Sequence, residues 1–475
     1  MTAAFAVLAL TGAAASPMNF TVFSQPVKLR HGQVFNKVQH PQSLPGSVVE
    51  RYADGNKLLA ITGFDVDMVR RSADGSETKV KLSDHYLHHY AIYLGQSKSM
   101  GAMFDHAEHD VMFRRMLSGC HAMKGSAVRS FMEDLWIDGP ARKHRLSMFG
   151  SASGAEYRDN PQRFEKPYRM ILEKPNAWAP LLHIIRASDS PDAPASGDYS
   201  PLIECPCTPQ RRINVANGTI DGKLPDPPIG CSPEFAATGN PSCSLSTYVG
   251  GWRCCEHDVF LVDTDKECAD ASCSEKPLDE VYMKFTFFYE DAAPGARQIE
   301  NSACCDVTGQ MPEQGFENIE YDVPACAPGT PPEKCFHVAE SVQTIGFYNE
   351  HPKSPGSPHK ASDLVDLVFM APHIHVAGTS VSLQDAVTNE TLCEVHRSEN
   401  DKAGVAYGHM DAPGNENGYL VGLSTCRWSG DNAPRYRRDH PFRIRVVYNA
   451  TRSHTGVMGL WLGTVSAVGD PDLLV

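Results

Sequence analysis

Beyond the first residues the chain has no run of about eighteen apolar residues, which excludes a membrane-spanning helix and a hydrophobic tail exchangeable for a lipid anchor. Basic residues are in the minority: 43 Lys and Arg against 57 Asp and Glu, a formal net charge of -14. Proteins that track phosphates concentrate Lys and Arg to release counterions, so nucleic acid is not an expected partner. The short signatures of several large enzyme classes are also missing: no G-x-S-x-G, no G-x-x-x-x-G-K, no H-E-x-x-H and no G-x-G-x-x-G. Serine-hydrolase, nucleotide-binding and zincin readings therefore have no support. Helical periodicity is scarce, and only 126–136 (SAVRSFMEDLW) predicts a helix, through Val128, Phe131, Met132 and Leu135.

What is present is β-sheet. Runs rich in β-branched and aromatic residues, bounded by Gly, Pro, Asn or Asp, occur at 58–69, 88–95, 280–290, 363–370, 442–449 and 458–468. With 475 residues, 41% hydrophobic and 21% charged, the chain has enough apolar content for two large domains or about three smaller ones. Pro/Gly/Ser-rich stretches at 187–201, 221–245 and 350–360 mark loops or boundaries, and the division between two β modules is expected within 324–360. Asn415 and Glu416 in PGNENG read as turn chemistry.

Residues 3–15 (AAFAVLALTGAAA) are a short apolar run ending in small residues, with Ala13 and Ala15 where a signal peptidase reads, so 1–15 is expected to be a signal peptide. Fifteen cysteines fit a secreted chain: Cys120 stands alone, twelve lie from Cys205 to Cys335, and Cys393 and Cys426 follow. Disulfides are favoured over metal ligation in that setting, with a Cys393–Cys426 bridge and Cys120 left over. Sequons at Asn19, Asn217, Asn389 and Asn449 are glycan acceptors if exposed.

Of the 20 histidines, two local arrangements carry chemistry. His88-His89 interrupts an apolar strand. Successive strand side chains point to opposite faces, so both rings reach one metal only through a bulge or a strong local twist. His373-Ile374-His375 has the i, i+2 spacing that puts two imidazoles on one strand face without distortion. Met458, opening the last apolar strand, reads alone as core filler, but with the H-x-H pair it makes a His₂Met donor set that suits copper in both oxidation states. A cupin also uses H-x-H, but here Leu367 stands where its glycine is expected and VAGTSV lacks its glutamate. His106 and His109 read as solvated, and His454 as a neighbour of Met458 only.

The stretches GNENGYLVGLSTC (414–426) and YNATRSHTGVMGL (448–460), with YLHHY (86–90) and IEYDVPAC (319–326), resemble the plant stress up-regulated nodulin (SURNod) family. Scattered matches such as ECPC (204–207) and RCC (253–255) extend this across most of 20–470, while 96–175 is unlike the plant members. Both chain and family in turn resemble the copper type II, ascorbate-dependent monooxygenases of the peptidylglycine hydroxylase and dopamine β-hydroxylase group, in motif order: a His-His pair, a distant histidine, an H-x-H pair, then a methionine opening a late strand. That resemblance implies one copper at His88, His89 and His183, which relays an electron from ascorbate. It implies a second copper at His373, His375 and Met458, which activates dioxygen for hydroxylation of a C–H bond. The peptidylglycine carboxylate-holding positions are Ala371, Leu460 and Leu462 here, so a glycine-extended peptide is not the expected substrate.

The expectation is an all-β chain of two tandem jelly-roll-like β-sandwich domains, over 16–325, with a cysteine-rich disulfide-stapled insert at about 187–280, and over 326–475. It is expected to be secreted, with two separated copper sites, ascorbate as electron donor, and an unidentified small-molecule, peptide or cell-wall substrate. The rival expectation is a non-catalytic extracellular stress-related or cell-wall binding protein that keeps the fold.

Overall fold

The fold is taken from a computed structural model, which describes residues 18–100, 146–151, 158, 162–188, 231–243, 247, 278–302, 306–308, 310–311, 316–317, 321–344, 362–397 and 404–469. The expected signal peptide, the helix over 126–136, His106, His109, Cys120, Asn217 and most of the cysteine-rich insert lie outside these residues.

Alternation builds the first sheet. In Asp279–Asp291 (DEVYMKFTFFYED) the side chains of Val281, Met283, Phe285, Phe287 and Tyr289 are buried and their neighbours are not, the period-two pattern of a strand with one wet face. This strand pairs antiparallel with Leu59–Arg71 on one side and Met18–Phe23 on the other. A second sheet places His85–Gly95 between Ala177–Arg186 and Leu146–Ser151. The two sheets face each other, because Phe285 of the first meets Tyr90 and Trp178 of the second, both at 5.6 Å between ring centroids. His85–Gly95 is buried almost throughout, as expected of a strand covered on both faces.

A second pair of sheets follows. In one, Leu364–Ile374 lies beside Gly459–Ala467, and in the other Pro441–Asn449 lies between Phe336–Thr344 and Gly378–Asp385. The chain crosses between pairs in a few residues: Arg297–Gln298 pairs with Tyr168–Leu172, whereas Glu300–Ser302 pairs with Gly459–Ala467. The fold is thus all-β, in paired sheets, and all six strand-like runs of the sequence are strands. Ala177–Arg186 escaped that reading because Pro180 interrupts it; Pro180 faces Ile92, and its carbonyl accepts a hydrogen bond from the Gln39 amide at 2.9 Å. The loop-like 221–245 contains a short helix, Pro233–Ala237, capped by the Ser232 hydroxyl and packed through Phe235 on Tyr321.

Two buried carboxylates join the sheet pairs. Asp366 accepts hydrogen bonds from Arg435 (2.7 Å), Arg297 (2.5 Å) and the Tyr168 hydroxyl (3.1 Å). Burial pushes its carboxyl up, but the hydrogen bonds from Arg435 and Arg297 outweigh this and hold it below the ordinary range. Glu416 does more than the turn chemistry read from PGNENG. It is fully buried, and it accepts from the Leu82 amide at 3.0 Å and from Arg158 at 3.3 Å, while Arg158 also reaches Asp67 at 2.7 Å.

Disulfides join Cys231 to Cys243, Cys326 to Cys335 and, as the spacing suggests, Cys393 to Cys426. The last spans 33 residues, so closing that loop removes unfolded-state entropy worth about 4 kcal/mol. Replacing both cysteines by alanine is expected to lower stability by about that amount in urea unfolding; an unchanged midpoint would remove the bridge from the stability account.

Candidate metal centre

The first cluster depends on a fault in a β-ladder. Across Ala177–Arg186 and His85–Gly95, His183 faces His89 and Ile184 faces Leu87, so His88 is an extra residue in its strand. This is the bulge that a His-His pair requires if both rings are to turn to one side. The ring nitrogens then converge, with Nδ1 of His89 lying 3.2 Å from Nδ1 of His88 and 3.4 Å from Nδ1 of His183. One ligand atom from each of the three lies within 4.8 Å of the others. Four donors at about 2.0 Å from a central ion are spaced by about 3.3 Å, so these nitrogens stand at coordination spacing. All three rings are buried, and His88 stacks on His183 at 4.3 Å.

The second cluster lies where two neighbouring strands leave their pairing. His373 faces Leu460 and Ile374 faces Gly459, so His375 and Met458 are the next residues outward on each strand. The Nε2 atoms of His373 and His375 are 3.2 Å apart. Burial, then the neighbouring His373 and His454, hold the His375 imidazole well below its ordinary pKa. It is thereby kept neutral, the form that binds a metal.

Tyr448, which was not singled out from the sequence, fixes this corner. Its hydroxyl accepts from the His375 amide at 2.8 Å and donates to the Met458 carbonyl at 2.5 Å, joining the backbones of two candidate ligands. The signal was available: alternation in PFRIRVVYN turns Tyr448 inward, and a buried phenol seeks a polar partner. Gly459, next to Met458, permits the close approach, since a Cβ there would lie 2.7 Å from Val446 and 3.1 Å from the Tyr321 hydroxyl. Tyr448→Phe keeps the ring but leaves one amide and one carbonyl buried without it, which is expected to cost about 1–3 kcal/mol. It is also expected to weaken metal-ion affinity at this cluster; equal affinity would make Tyr448 purely structural.

The clusters are not separated, as expected from the sequence, but touch. The rings of His88 and His375 are 4.9 Å apart in a T-shaped contact, which makes a continuous buried series from His89 and His183 through His88 to His375 and His373. A further group on the first sheet pair, Asp84, His85 and Asp279, has ligand-like spacing. Its carboxylates, however, pair with Arg70 and Arg186. Arg186 also lies 3.0 Å from Nδ1 of His85, and burial, opposed by Asp279 and reinforced by Arg70, lowers the His85 pKa to about 3. The two guanidiniums supply the positive charge that a cation would bring, so this is a structural ion network.

The positions that resemblance assigns to a substrate carboxylate are apolar here. Ala371 and Leu462 face each other in register, and Leu460 faces His373. None offers a cation or a hydrogen-bond donor from its side chain. Among the described residues no helix is long and apolar enough to cross a membrane.

No curated protein matches the chain. Residues 239–467, which hold His373, His375, Met458, Tyr448 and the second pair of sheets, match the family model for Stress up-regulated Nod 19. Over residues 239–467, a little under half of its length, the chain is therefore similar to the stress up-regulated Nod 19 family.

Proposed function

We propose that the protein is a secreted copper-binding oxidoreductase of the copper type II, ascorbate-dependent monooxygenase kind, with His88, His89 and His183 holding one ion and His373, His375 and Met458 the other. The observation that carries this reading is the convergence of buried ring nitrogens at 3.2–3.4 Å in both clusters. The donor chemistry fits copper: neutral imidazoles accept either oxidation state, and a thioether favours the reduced one. Bound copper supplies one-electron exchange with ascorbate and activation of dioxygen. The chain's own contribution is to exclude bulk water, keep the His375 imidazole neutral and hold Met458 against the H-x-H strand through Tyr448. The apolar Ala371, Leu460 and Leu462 favour a substrate presented by a C–H bond in an uncharged group. Secretion rests on the amino-terminal apolar run and the disulfides, and the sequon residues Asn19 and Asn389 are exposed.

One observation favours the second reading, a non-catalytic extracellular binding protein. All six candidate ligands are at most 7% exposed, and the rings of the two clusters are in contact, so a bulky substrate has no room between them. Dioxygen uptake by the copper-loaded protein with ascorbate separates the two. The oxidoreductase reading expects uptake that depends on ascorbate and stops when either cluster is removed; uptake no greater than that of free copper with ascorbate would leave the binding reading.

A further inference from the structure

Strand pairing sets an exposed aromatic ring beside a sequon. Phe336–Thr344 runs antiparallel to Pro441–Asn449, with Phe336 directly opposite Asn449. Residues opposite each other in such a pair project from the same face, with Cβ atoms about 5 Å apart. That face is the wet one, because Phe442, Ile444, Val446 and Tyr448 alternate inward, and Phe336 is 44% exposed. Asn449 opens the sequon Asn449-Ala450-Thr451. Its Oδ1 accepts from the Thr451 amide at 3.0 Å and from the Thr451 hydroxyl at 2.7 Å, so the Nδ2 amide is the atom left for modification. The backbone here is held in place: the Ala450 amide donates to the Cys335 carbonyl at 3.1 Å, and the Ala450 carbonyl accepts from the Cys326 amide at 2.9 Å.

We infer that Asn449 carries an N-linked glycan whose first sugar packs on the ring of Phe336. The inference rests on the secretion part of the reading above, because the donor, an oligosaccharide carried on a lipid diphosphate, is met in the secretory pathway. Nδ2 attacks the anomeric carbon of that donor. A C–N bond forms, the C–O bond to the diphosphate breaks, the diphosphate leaves with the electron pair, and an amide proton passes to a base of the transferase. A pyranose presents C–H groups on one face, and laying them on Phe336 takes apolar area of both partners out of water. The other two sequons among the described residues lack this arrangement. Asn19 stands opposite Phe288, but the Arg163 guanidinium already lies over that ring, 4.4 Å from its centroid. Asn389 sits in a turn with φ of 62°, outside the register of its hairpin.

The test uses the full-length chain secreted from a mammalian line that keeps its glycans oligomannose, with occupied sites located by peptide mass spectrometry. Thermal midpoints are then compared after an endoglycosidase has left one sugar and after an amidase has removed the whole glycan. Both treatments are applied to Phe336, Phe336→Ser and Phe336→Tyr chains in which Asn19, Asn217 and Asn389 are replaced by glutamine. The expected result is an occupied Asn449 and a midpoint about 2–4 °C higher with the single sugar than without it. In Phe336→Ser the difference falls below about 1 °C, and in Phe336→Tyr it returns. The amidase converts Asn449 to aspartate in every background, so the comparison cancels that change. Phe336 lies at the surface, and its replacement leaves the core intact. Secreted protein with Asn449 unmodified, or an equal midpoint difference in Phe336→Ser, would overturn the inference while leaving secretion standing. A chain retained in the cell with no sugar at any sequon would overturn the secretion reading and the inference with it.

Discussion

Met458→Leu is expected to abolish ascorbate-dependent dioxygen uptake while copper remains at His88, His89 and His183. Leucine keeps the volume of a side chain that is almost wholly buried, so the cost in packing stays under about 1.5 kcal/mol. Alanine would add a cavity costing about 2–5 kcal/mol and confuse folding with chemistry. The change removes the single soft donor of the second cluster, leaving His373 and His375, and with it the donor that favours reduced copper. The first cluster keeps all three of its candidate ligands, because His88, His89 and His183 belong to the other pair of sheets. The check is dioxygen electrode traces alongside copper counts; unchanged turnover would exclude Met458 from the chemistry.

Asp306→Asn is expected to stabilise the protein at pH 8 and to leave it nearly unchanged at pH 4. Asp306 is fully enclosed, and burial raises its pKa from 3.8 to about 8 against the opposing hydrogen bonds from Thr308. The native carboxyl keeps its proton across a range in which the unfolded chain has lost it. Its favourable contribution is therefore complete below pH 3.8 and is lost as pH rises through about 8. At about 1.4 kcal/mol per unit, the loss amounts to about 4 kcal/mol by neutral pH or slightly above. Asparagine mimics the protonated acid: its carbonyl can accept from the Thr308 amide, as Oδ1 now does at 3.0 Å, and its NH₂ can face the Thr308 hydroxyl. Urea midpoints of both proteins from pH 4 to pH 8 check this, and parallel pH profiles would contradict it.

The parts of the molecule legible from sequence were those set by local pattern. Alternation marked Asp279–Asp291 and Pro441–Asn449, and apolar runs marked Leu364–Ile374 and Gly459–Ala467. The i, i+2 spacing of His373 and His375 brings their Nε2 atoms to 3.2 Å, and the doubled histidine at 88–89 required the bulge that the ladder contains. What spacing does not encode is the packing of one sheet pair on the other. The contact of His88 with His375 joins residues far apart in sequence, and the local pattern offered two sites with no distance between them. Glu416 was hidden for the same reason: in a Gly- and Asn-rich segment a glutamate looks solvated, yet its partners are Leu82 and Arg158, over 250 residues earlier. Ala177–Arg186, which carries His183, was masked by Pro180, a residue that argues against a strand on local grounds alone.

Two buried clusters in contact, holding copper that cycles, are the core of the proposed oxidoreductase. Its most direct test is copper stoichiometry with electron paramagnetic resonance on the full-length, copper-reconstituted protein, before and after ascorbate. Two cuprous ions per chain are expected after reduction, with a type II cupric signal that ascorbate bleaches and dioxygen restores. No bound copper, or a cupric signal that ascorbate leaves unchanged, would contradict it.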